Sequence, residues 1–292
     1  MVRIAISSLA RCGIGLFLLS ACVCSSDAQV AKWEASFPSA SGGQVVKSIA
    51  TPLDEGGLLV AVVLPGAEAM RPTVTRAGQP VSVEVVGMDS VSRLCFLKAS
   101  AAGDRLAWGK TAPYTPGTPL QSPGPLKARA TGWVKQIGTK VLPFALLRIN
   151  FEGAVPPTGS PVSTEDGRVV AVVFQSAGSA SAYAIPVEAV QRVKTDVFGS
   201  GKLVRGWLGL SLRAESPSPQ VMRVSPDSPA LKAGIRPNDV LLQVGTRPVA
   251  NYADAANAFF YLMPQEAVDL RFLRGTEEIS VTLNPVVAPT GK

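Results

Sequence analysis

Short runs of β-branched and aliphatic residues, separated by Gly and Pro, fill the first two thirds of the chain. Clear examples are residues 58–63, 81–86 and 169–174. Such runs between turn residues are typical of strands, and many of them in succession are typical of a sandwich or barrel. The pattern between about residues 30 and 198 therefore predicts an all-β fold.

The stretch at residues 113–125 interrupts this pattern because it is rich in Pro and Gly. Proline lacks a backbone N–H and fixes φ, so it is excluded from helix interiors and from central strands. We therefore predict that this stretch connects two β-barrels and contains no central strand.

Helical spacing first appears after Pro186. Apolar residues at positions 187, 190 and 193 would lie on one helix face. Residues 199–201, Gly-Ser-Gly, follow as a short linker. The order of these segments predicts a helix that closes the β domain, followed by a second domain.

The second domain mixes helical and strand-like patterns. Residues 252–262 are predicted to form a long helix, and residues 268–274 and 279–283 alternate like strands. This part of the chain is therefore predicted to be α+β.

Residues 1–28 have the features of an export signal. Arg3 and Arg11 supply positive charge, and the apolar run at residues 12–21 is too short to span a bilayer. Residues 19–22, Leu-Ser-Ala-Cys, match a bacterial lipobox, in which Cys22 would be acylated. The alternative is ordinary cleavage after residue 28. Both interpretations predict export to the periplasm, and the first adds a lipid anchor.

Composition limits the chemistry that the chain can perform. The net charge of +7 is scattered without a basic cluster, so we predict no nucleic-acid binding. The chain has no histidine, which excludes a histidine general base and a histidine-ligated metal. No pair among its four cysteines has zinc-ligand spacing, and we predict no metal and no cofactor. Cys95 lies in an apolar run and is predicted to be a buried, inert thiol.

The segment Gly153-Ala-Val-Pro-Pro-Thr158-Gly-Ser-Pro161-Val162 precedes a turn at Asp166-Gly167 and a Val-rich strand. This arrangement resembles the nucleophile segment of the HtrA/Deg proteases, whose fold is a trypsin-like double β-barrel followed by a PDZ domain. The resemblance places Thr158 at the nucleophilic serine. It places Pro156 at the glycine whose N–H serves the oxyanion hole, and proline has no N–H to donate.

The other catalytic positions of the family also hold unusual residues. The segment at residues 56–64 resembles the one that carries the catalytic histidine, and Val63 falls at that position. The segment at residues 89–98 resembles the one that carries the catalytic aspartate, and Arg93 falls there. Acyl transfer needs a base, a carboxylate and oxyanion donors. We therefore predict a pseudoprotease with no catalytic residues, in which Thr158 is a loop residue. The alternative is a divergent serine endopeptidase.

The second domain carries the more specific resemblance. Arg205-Gly-Trp-Leu-Gly209-Leu210 and the segment at residues 224–242 resemble the start and middle of the family's PDZ domain. The resemblance implies a carboxylate-binding loop at Trp207, Leu208, Gly209 and Leu210, opposite the helix at residues 252–262. PDZ domains bind an extended peptide at a sheet edge. Small helix residues beside Phe259 and Phe260 predict a roomy apolar pocket for a hydrophobic C-terminal residue.

These expectations give a domain plan and a function. The plan is an export signal at residues 1–28, a degenerate trypsin-like double barrel at 29–198, a linker at 199–204, a PDZ domain at 205–285 and a tail at 286–292. The predicted function is binding of protein C-termini or extended peptides, as an adaptor in envelope protein quality control. A subunit that assembles with active HtrA proteases is a further alternative. The family trimerises through its N-terminal segment, where Trp33 and Phe37 lie in this chain.

Overall fold

The computed structural model describes residues 32–110, 114–124, 126–214 and 216–288. The predicted export signal and the lipobox at residues 19–22 lie outside the described residues, so both stay predictions. Within the described part of the chain, no helix combines the length and apolar character needed to cross a membrane.

The first seven strands form one antiparallel sheet in the order β5-β4-β1-β2-β3-β7-β6. The strands are β1 (Trp33–Pro38), β2 (Val45–Pro52), β3 (Leu58–Val62), β4 (Thr73–Arg76), β5 (Gln79–Val81), β6 (Val83–Asp89) and β7 (Leu94–Ala99). The edge strands β5 and β6 are consecutive in the chain, with only Ser82 between them. The sheet must therefore curl until its two edges meet, and the run predicted at residues 81–86 is broken at Ser82.

Aromatic residues of β1 fill the centre of this first barrel. Trp33 and Phe37 are 1% and 0% exposed and pack in one cluster with Leu59 and Cys95. Trp33 and Phe37 are four positions apart on β1, so their side chains lie on the same face of the strand, and that face is turned inward. Both side chains therefore belong to the core of the first barrel, and assembly through this N-terminal segment stays a prediction.

The next six strands form a closed antiparallel barrel in the order β10-β13-β12-β11-β8-β9. They are β8 (Pro119–Ser122), β9 (Leu126–Ile137), β10 (Lys140–Phe151), β11 (Pro161–Ser163), β12 (Val169–Ser176) and β13 (Ser181–Pro186). The prediction that residues 113–125 hold no central strand is wrong, because β8 pairs with both β9 and β11. Pro119 is tolerated because it is the first residue of its strand.

The helix predicted after Pro186 is α1 (Val187–Ser200), and it ends at Gly201, whose φ is +74°. Its apolar face packs against strands of both barrels, so it closes the groove between them. Arg192 and Asp196 form an ion pair on this helix, and both side chains are about 95% buried. Arg192 Nη2 also donates to the carbonyls of Val204 (2.7 Å) and Leu262 (3.0 Å), which lie in the linker and in the C-terminal domain.

The C-terminal domain is α+β, as predicted. Its strands are β14 (Gly206–Trp207), β15 (Leu210–Leu212), β16 (Val221–Val224), β17 (Val240–Val244), β18 (Arg247–Pro248), β19 (Val268–Arg274), β20 (Glu277–Leu283) and β21 (Val286–Val287). The helices are α2 (Pro229–Lys232) and α3 (Tyr252–Phe260). Strands β17–β20 form one sheet, whereas β15 pairs with β16 and with no other strand of the described residues. Helix α3 begins as predicted and ends two residues early.

Helix α3 fixes the C-terminal domain on the second barrel. The rings of Phe260 and Phe144 lie 4.7 Å apart, and Asn257 Oδ1 accepts a 2.6 Å hydrogen bond from the N–H of Ala145. Lys135 of β9 forms an ion pair with Asp254. One face of α3 is thereby committed to the barrel.

The buried thiol of Cys95 gives a direct test of the first barrel. Burial raises the pKa of this thiol to about 12, so at pH 9 roughly one thiol in a thousand is the reactive thiolate. We expect iodoacetamide at pH 9 to leave Cys95 unmodified in the native protein and to modify it rapidly in 8 M urea, as measured by peptide mass spectrometry. Modification at equal rates in both conditions would contradict this packing.

Candidate functional site

The first candidate site is the turn that carries Thr158, between β10 and β11. The N–H of Ser160 donates to the carbonyl of Pro157 (3.1 Å), which makes Thr158 and Gly159 the two central residues of the turn. Gly159 has a φ of +82°, where glycine is favoured. The sequence analysis predicted that Thr158 is a loop residue, and the loop has the geometry of a tight turn.

This turn is attached to β2 of the first barrel. The N–H of Ile49 donates to the carbonyl of Thr158 (2.7 Å), and the hydroxyl of Thr51 donates to the carbonyl of Gly159 (2.8 Å). A Cβ at Gly159 would lie 2.0 Å from the carbonyl oxygen of Ile49. Glycine is therefore required both for the turn and for the close approach of the two barrels.

The buried hydroxyl of Ser48 connects this turn with the neighbouring strand β3. Ser48 Oγ accepts a hydrogen bond from the N–H of Val62 (3.2 Å) and lies 3.3 Å from the carbonyl oxygen of Thr158. The N–H of Val63 in turn donates to the carbonyl of Arg93 (2.8 Å). The structure thus brings the segments of Val63, Arg93 and Thr158 together, which are the segments that the resemblance assigned to the triad.

The side chains at these positions do not converge on a proton-transfer system within the described residues. Val63 is 1% exposed and packs in the first-barrel core. Arg93 has a φ of +63°, an uncommon conformation for a residue with a side chain. The Thr158 hydroxyl is half-buried and makes no hydrogen bond to any described side chain; the backbone of this residue, and not its hydroxyl, anchors the turn. Pro156 has no N–H to offer an oxyanion.

The second candidate site is the loop from Trp207 to Leu210, between β14 and β15. Gly209 has a φ of +81°, and a Cβ there would lie 2.0 Å from Cβ of Ser228. Ser228 is buried and caps helix α2. The loop therefore lies directly on the start of α2, and only glycine permits this contact.

The carbonyl groups of the loop hold it in place. The carbonyl of Leu208 accepts from the N–H of Ala230 (2.9 Å), and the carbonyl of Gly209 accepts from the N–H of Ser225 (2.7 Å). A trans peptide unit directs its N–H opposite to its C=O. The N–H groups of Gly209 and Leu210 consequently point away from these partners, towards the unpaired edge of β15.

Helix α3 provides the wall beside this loop. Residues spaced by about seven positions share a helix face, and both Tyr252 and Phe259 pack, partly buried, against the same cluster as Leu208 and Leu210. The sequence analysis grouped Phe260 with Phe259, but the two side chains lie on different faces of α3. Phe260 is 2% exposed and packs on Phe144 of the second barrel, because adjacent helix residues point about 100° apart.

Two contributors were missed by the sequence analysis. Ser48 is one of several serines in strand-like runs, and nothing in its neighbours shows that it would meet Thr158, more than one hundred residues away. Arg192 lies on an otherwise apolar helix face, which is a weak signal of a buried ion pair. Its partner Asp196, four residues on, is the feature that could have been recognised.

Comparison with known proteins identifies the second site. The family model for the PDZ domain matches residues 206–284. This range contains the loop at Trp207–Leu210, strand β15 and helix α3.

Comparisons that cover most of the chain, and not only the PDZ domain, identify the family. The chain is 25% identical over 231 residues to a probable periplasmic serine endoprotease DegP-like of Halomonas elongata, which covers 70% of this chain and 49% of that relative. It is 24% identical over 260 residues to the putative serine protease HhoB of Synechocystis, which covers 77% of this chain and 62% of that protein. The solved structure of the HtrA-type protease AlgW with decapeptide superposes with a TM-score of 0.61 at 17% identity, over 90% of this chain and 96% of that one. The chain belongs to the HtrA/Deg family.

Membership of the HtrA/Deg family accounts for the fold of this chain. A mainly β structure with two trypsin-like barrels followed by a PDZ domain is confirmed. The chain spans about half to three fifths of the length of the first curated relatives that it matches.

The comparisons also overturn the prediction that the chain is not an enzyme. Its HtrA/Deg relatives are named serine endoproteases, and its structural neighbours are HtrA-type proteases. The prediction was drawn from the residues at three positions and from the absence of histidine. Those residues limit which groups could take part in hydrolysis, but they do not separate the chain from a family of proteases.

The attachment of the Thr158 turn can be tested with a matched pair of glycines. Gly159 and Gly167 have the same φ of +82°, but a Cβ at Gly159 would clash with Ile49 and one at Gly167 would meet nothing within 4 Å. We expect Gly159→Ala to lower the free energy of unfolding by roughly 2–4 kcal/mol. Gly167→Ala should lower it by roughly 1 kcal/mol. Urea unfolding followed by tryptophan fluorescence measures both, and equal losses would contradict the close contact.

Proposed function

We propose that this HtrA/Deg-family protein captures the C-termini of other polypeptides through its PDZ domain. The observation that carries the proposal is the pair of N–H groups, of Gly209 and Leu210, that the held carbonyls direct towards the open edge of β15. N–H groups that converge beside an unpaired strand can receive a terminal carboxylate while the strand extends the sheet with the peptide backbone. The neighbour AlgW was solved with a decapeptide, which supports peptide binding as the role of this fold.

The side chains around the loop favour an apolar terminal residue. Leu208, Leu210 and Phe259 belong to one apolar assembly at the end of the groove. Phe260 is turned away towards the barrel, where its ring packs on Phe144. Because the side chains beside the loop are apolar, we expect an aliphatic C-terminal residue to bind there.

The proposed setting is the periplasm. The relative from Halomonas elongata is named periplasmic, and the N-terminal 28 residues have the features of an export signal. In that compartment, C-termini exposed by misfolded or unassembled envelope proteins are suitable ligands. This proposal makes the protein a component of envelope protein quality control.

Gly209 provides the first test of peptide capture. Gly209→Ala should displace the loop from Ser228 and weaken binding of a fluorescent peptide with an aliphatic C-terminus by about 10-fold or more. Gly234→Ala is the matched control, since Gly234 also has a positive φ (+77°) but no atom within 4 Å of the added Cβ. Fluorescence anisotropy with the purified protein gives both dissociation constants.

The ligand itself supplies the second control. Amidation of the peptide C-terminus removes the charge that the two N–H groups receive, and charged hydrogen bonds are worth about 1.5–3 kcal/mol each. The amidated peptide should therefore bind at least about 10-fold more weakly. Equal affinity for the acid and the amide would rule out carboxylate capture.

A second candidate function is serine-type endopeptidase activity, and the names of the relatives favour it. The hydroxyl of Thr158 is the group at the nucleophile position, on a half-exposed turn. Ser160 is two residues along, but it is 5% exposed and hence poorly placed to reach a substrate. A hydroxyl nucleophile is activated by an adjacent base, and the chain must supply that base without histidine.

Labelling with a fluorophosphonate separates the two hydroxyls. If the chain hydrolyses peptide bonds through this turn, Thr158→Ala should abolish both labelling and casein hydrolysis, and Ser160→Ala should retain both. The absolute rate should be at least about 10²-fold below that of an HtrA protease with two oxyanion donors, because Pro156 has no N–H. Loss of hydrolysis in Ser160→Ala alone would reject Thr158 as the nucleophile.

A further inference from the structure

Two arginines lie on one face of the strand that the proposed peptide would pair with. Strand β15 pairs with β16 in antiparallel register, with Leu210 opposite Val224 and Ser211 opposite Arg223. Residues opposite each other in such a pair project their side chains to the same face. Arg223 therefore shares the face of Ser211.

The alternation along β15 adds the second arginine to this face. Leu210 and Leu212 pack against the domain core. Ser211 and Arg213, which alternate with them, project to the opposite face. Arg213 follows directly after β15 and stays in register with the neighbouring strand, since its N–H donates to the carbonyl of Gln220 (2.9 Å).

Both arginines are available to a ligand. Arg213 and Arg223 are exposed, and neither forms an ion pair with any residue in the described ranges. By contrast, Arg271 and Arg274 on β19 pair with Glu278 and Asp239. The face beside the open edge of β15 thus carries two positive charges without described counter-charges.

The register of a bound peptide follows from the position of its carboxylate. With the terminal carboxylate at the N–H groups of Gly209 and Leu210, the last residue lies beside Leu210. A peptide antiparallel to β15 then places its second-last residue beside Ser211, its third-last beside Leu212 and its fourth-last beside Arg213. The second-last and fourth-last side chains consequently lie on the face of the two arginines, and the last and third-last face helix α3.

From this arrangement we infer that the PDZ groove selects C-termini with acidic residues at the second and fourth positions from the end, read by Arg223 and Arg213. The inference rests on the proposed capture of C-termini and adds its ligand class. The partner is a polypeptide with an aliphatic last residue and an alternating acidic pattern before it. An acidic side chain at the third position from the end would face the apolar wall formed by helix α3 and would not increase the affinity.

Four decapeptides with a free C-terminal valine test the inference by fluorescence anisotropy with the purified protein. They carry glutamate at the second and fourth positions, glutamate at the third position, glutamine at all three, or the first pattern with an amidated end. An exposed ion pair changes affinity by about 1.5- to 5-fold. The doubly acidic peptide should bind about 3- to 10-fold more tightly than the glutamine peptide at low salt, with the gain lost near 1 M salt.

Substitutions identify the residues responsible. Arg223→Gln and Arg213→Gln should each remove part of the gain without changing affinity for the glutamine peptide. Arg271→Gln, on the four-stranded sheet, should keep the whole gain. The inference is overturned if glutamate at the third position tightens binding equally, if the gain survives in the double variant, or if the amidated acidic peptide binds as well as the free acid.

The two proposals fail in different ways. If the doubly acidic peptide binds and its amidated form does not, capture of C-termini stands, and the acidic preference is decided by the comparison with the glutamine peptide. If none of the free-acid peptides binds, the capture of C-termini is wrong, and the ligand class inferred from it is wrong as well.

Discussion

The contact between Gly209 and the start of helix α2 determines how the binding loop is arranged. The loop lies so close to Ser228 that a Cβ would stand 2.0 Å from its side chain. This proximity lets Ser225 and Ala230 bind the loop carbonyls, and planarity of the peptide unit then turns the intervening N–H groups outward. A binding feature made of backbone atoms is thus fixed by one position at which no side chain can be present.

Helix α3 links this loop to the rest of the molecule because both of its faces are in use. Tyr252 and Phe259 pack with the PDZ core, and Phe260 packs on Phe144 of the second barrel. Arg192 of helix α1, which forms an ion pair with Asp196, donates hydrogen bonds to the carbonyls of Val204 in the linker and Leu262 in the C-terminal domain. A buried ion pair of this kind costs desolvation, so its presence is no evidence of added stability. The groove wall is therefore held by the barrels as well as by its own domain.

The parts of this arrangement that depend on local rules were predictable from the sequence. The glycine at position 209, the start of helix α3 and the hairpin at Gly167 follow from backbone conformation and side-chain spacing. Contacts between distant segments were not predictable. Trp33 and Phe37 alternate in a way that suits either a core or an interface, and only the pairing of β1 with β2 and β4 shows that they face inward. Strand β8 forms despite Pro119 because its neighbours supply pairing on both edges.

Protection of individual backbone amides is the most direct test of the central claim, that the N–H groups of Gly209 and Leu210 receive a peptide carboxylate. Hydrogen exchange of the two amides, followed by NMR with and without a saturating C-terminal peptide, measures it. The account predicts that both amides slow by at least about 10-fold with the free-acid peptide and exchange at the unliganded rate with its amide. Unchanged exchange at both amides, with the peptide demonstrably bound, would contradict it.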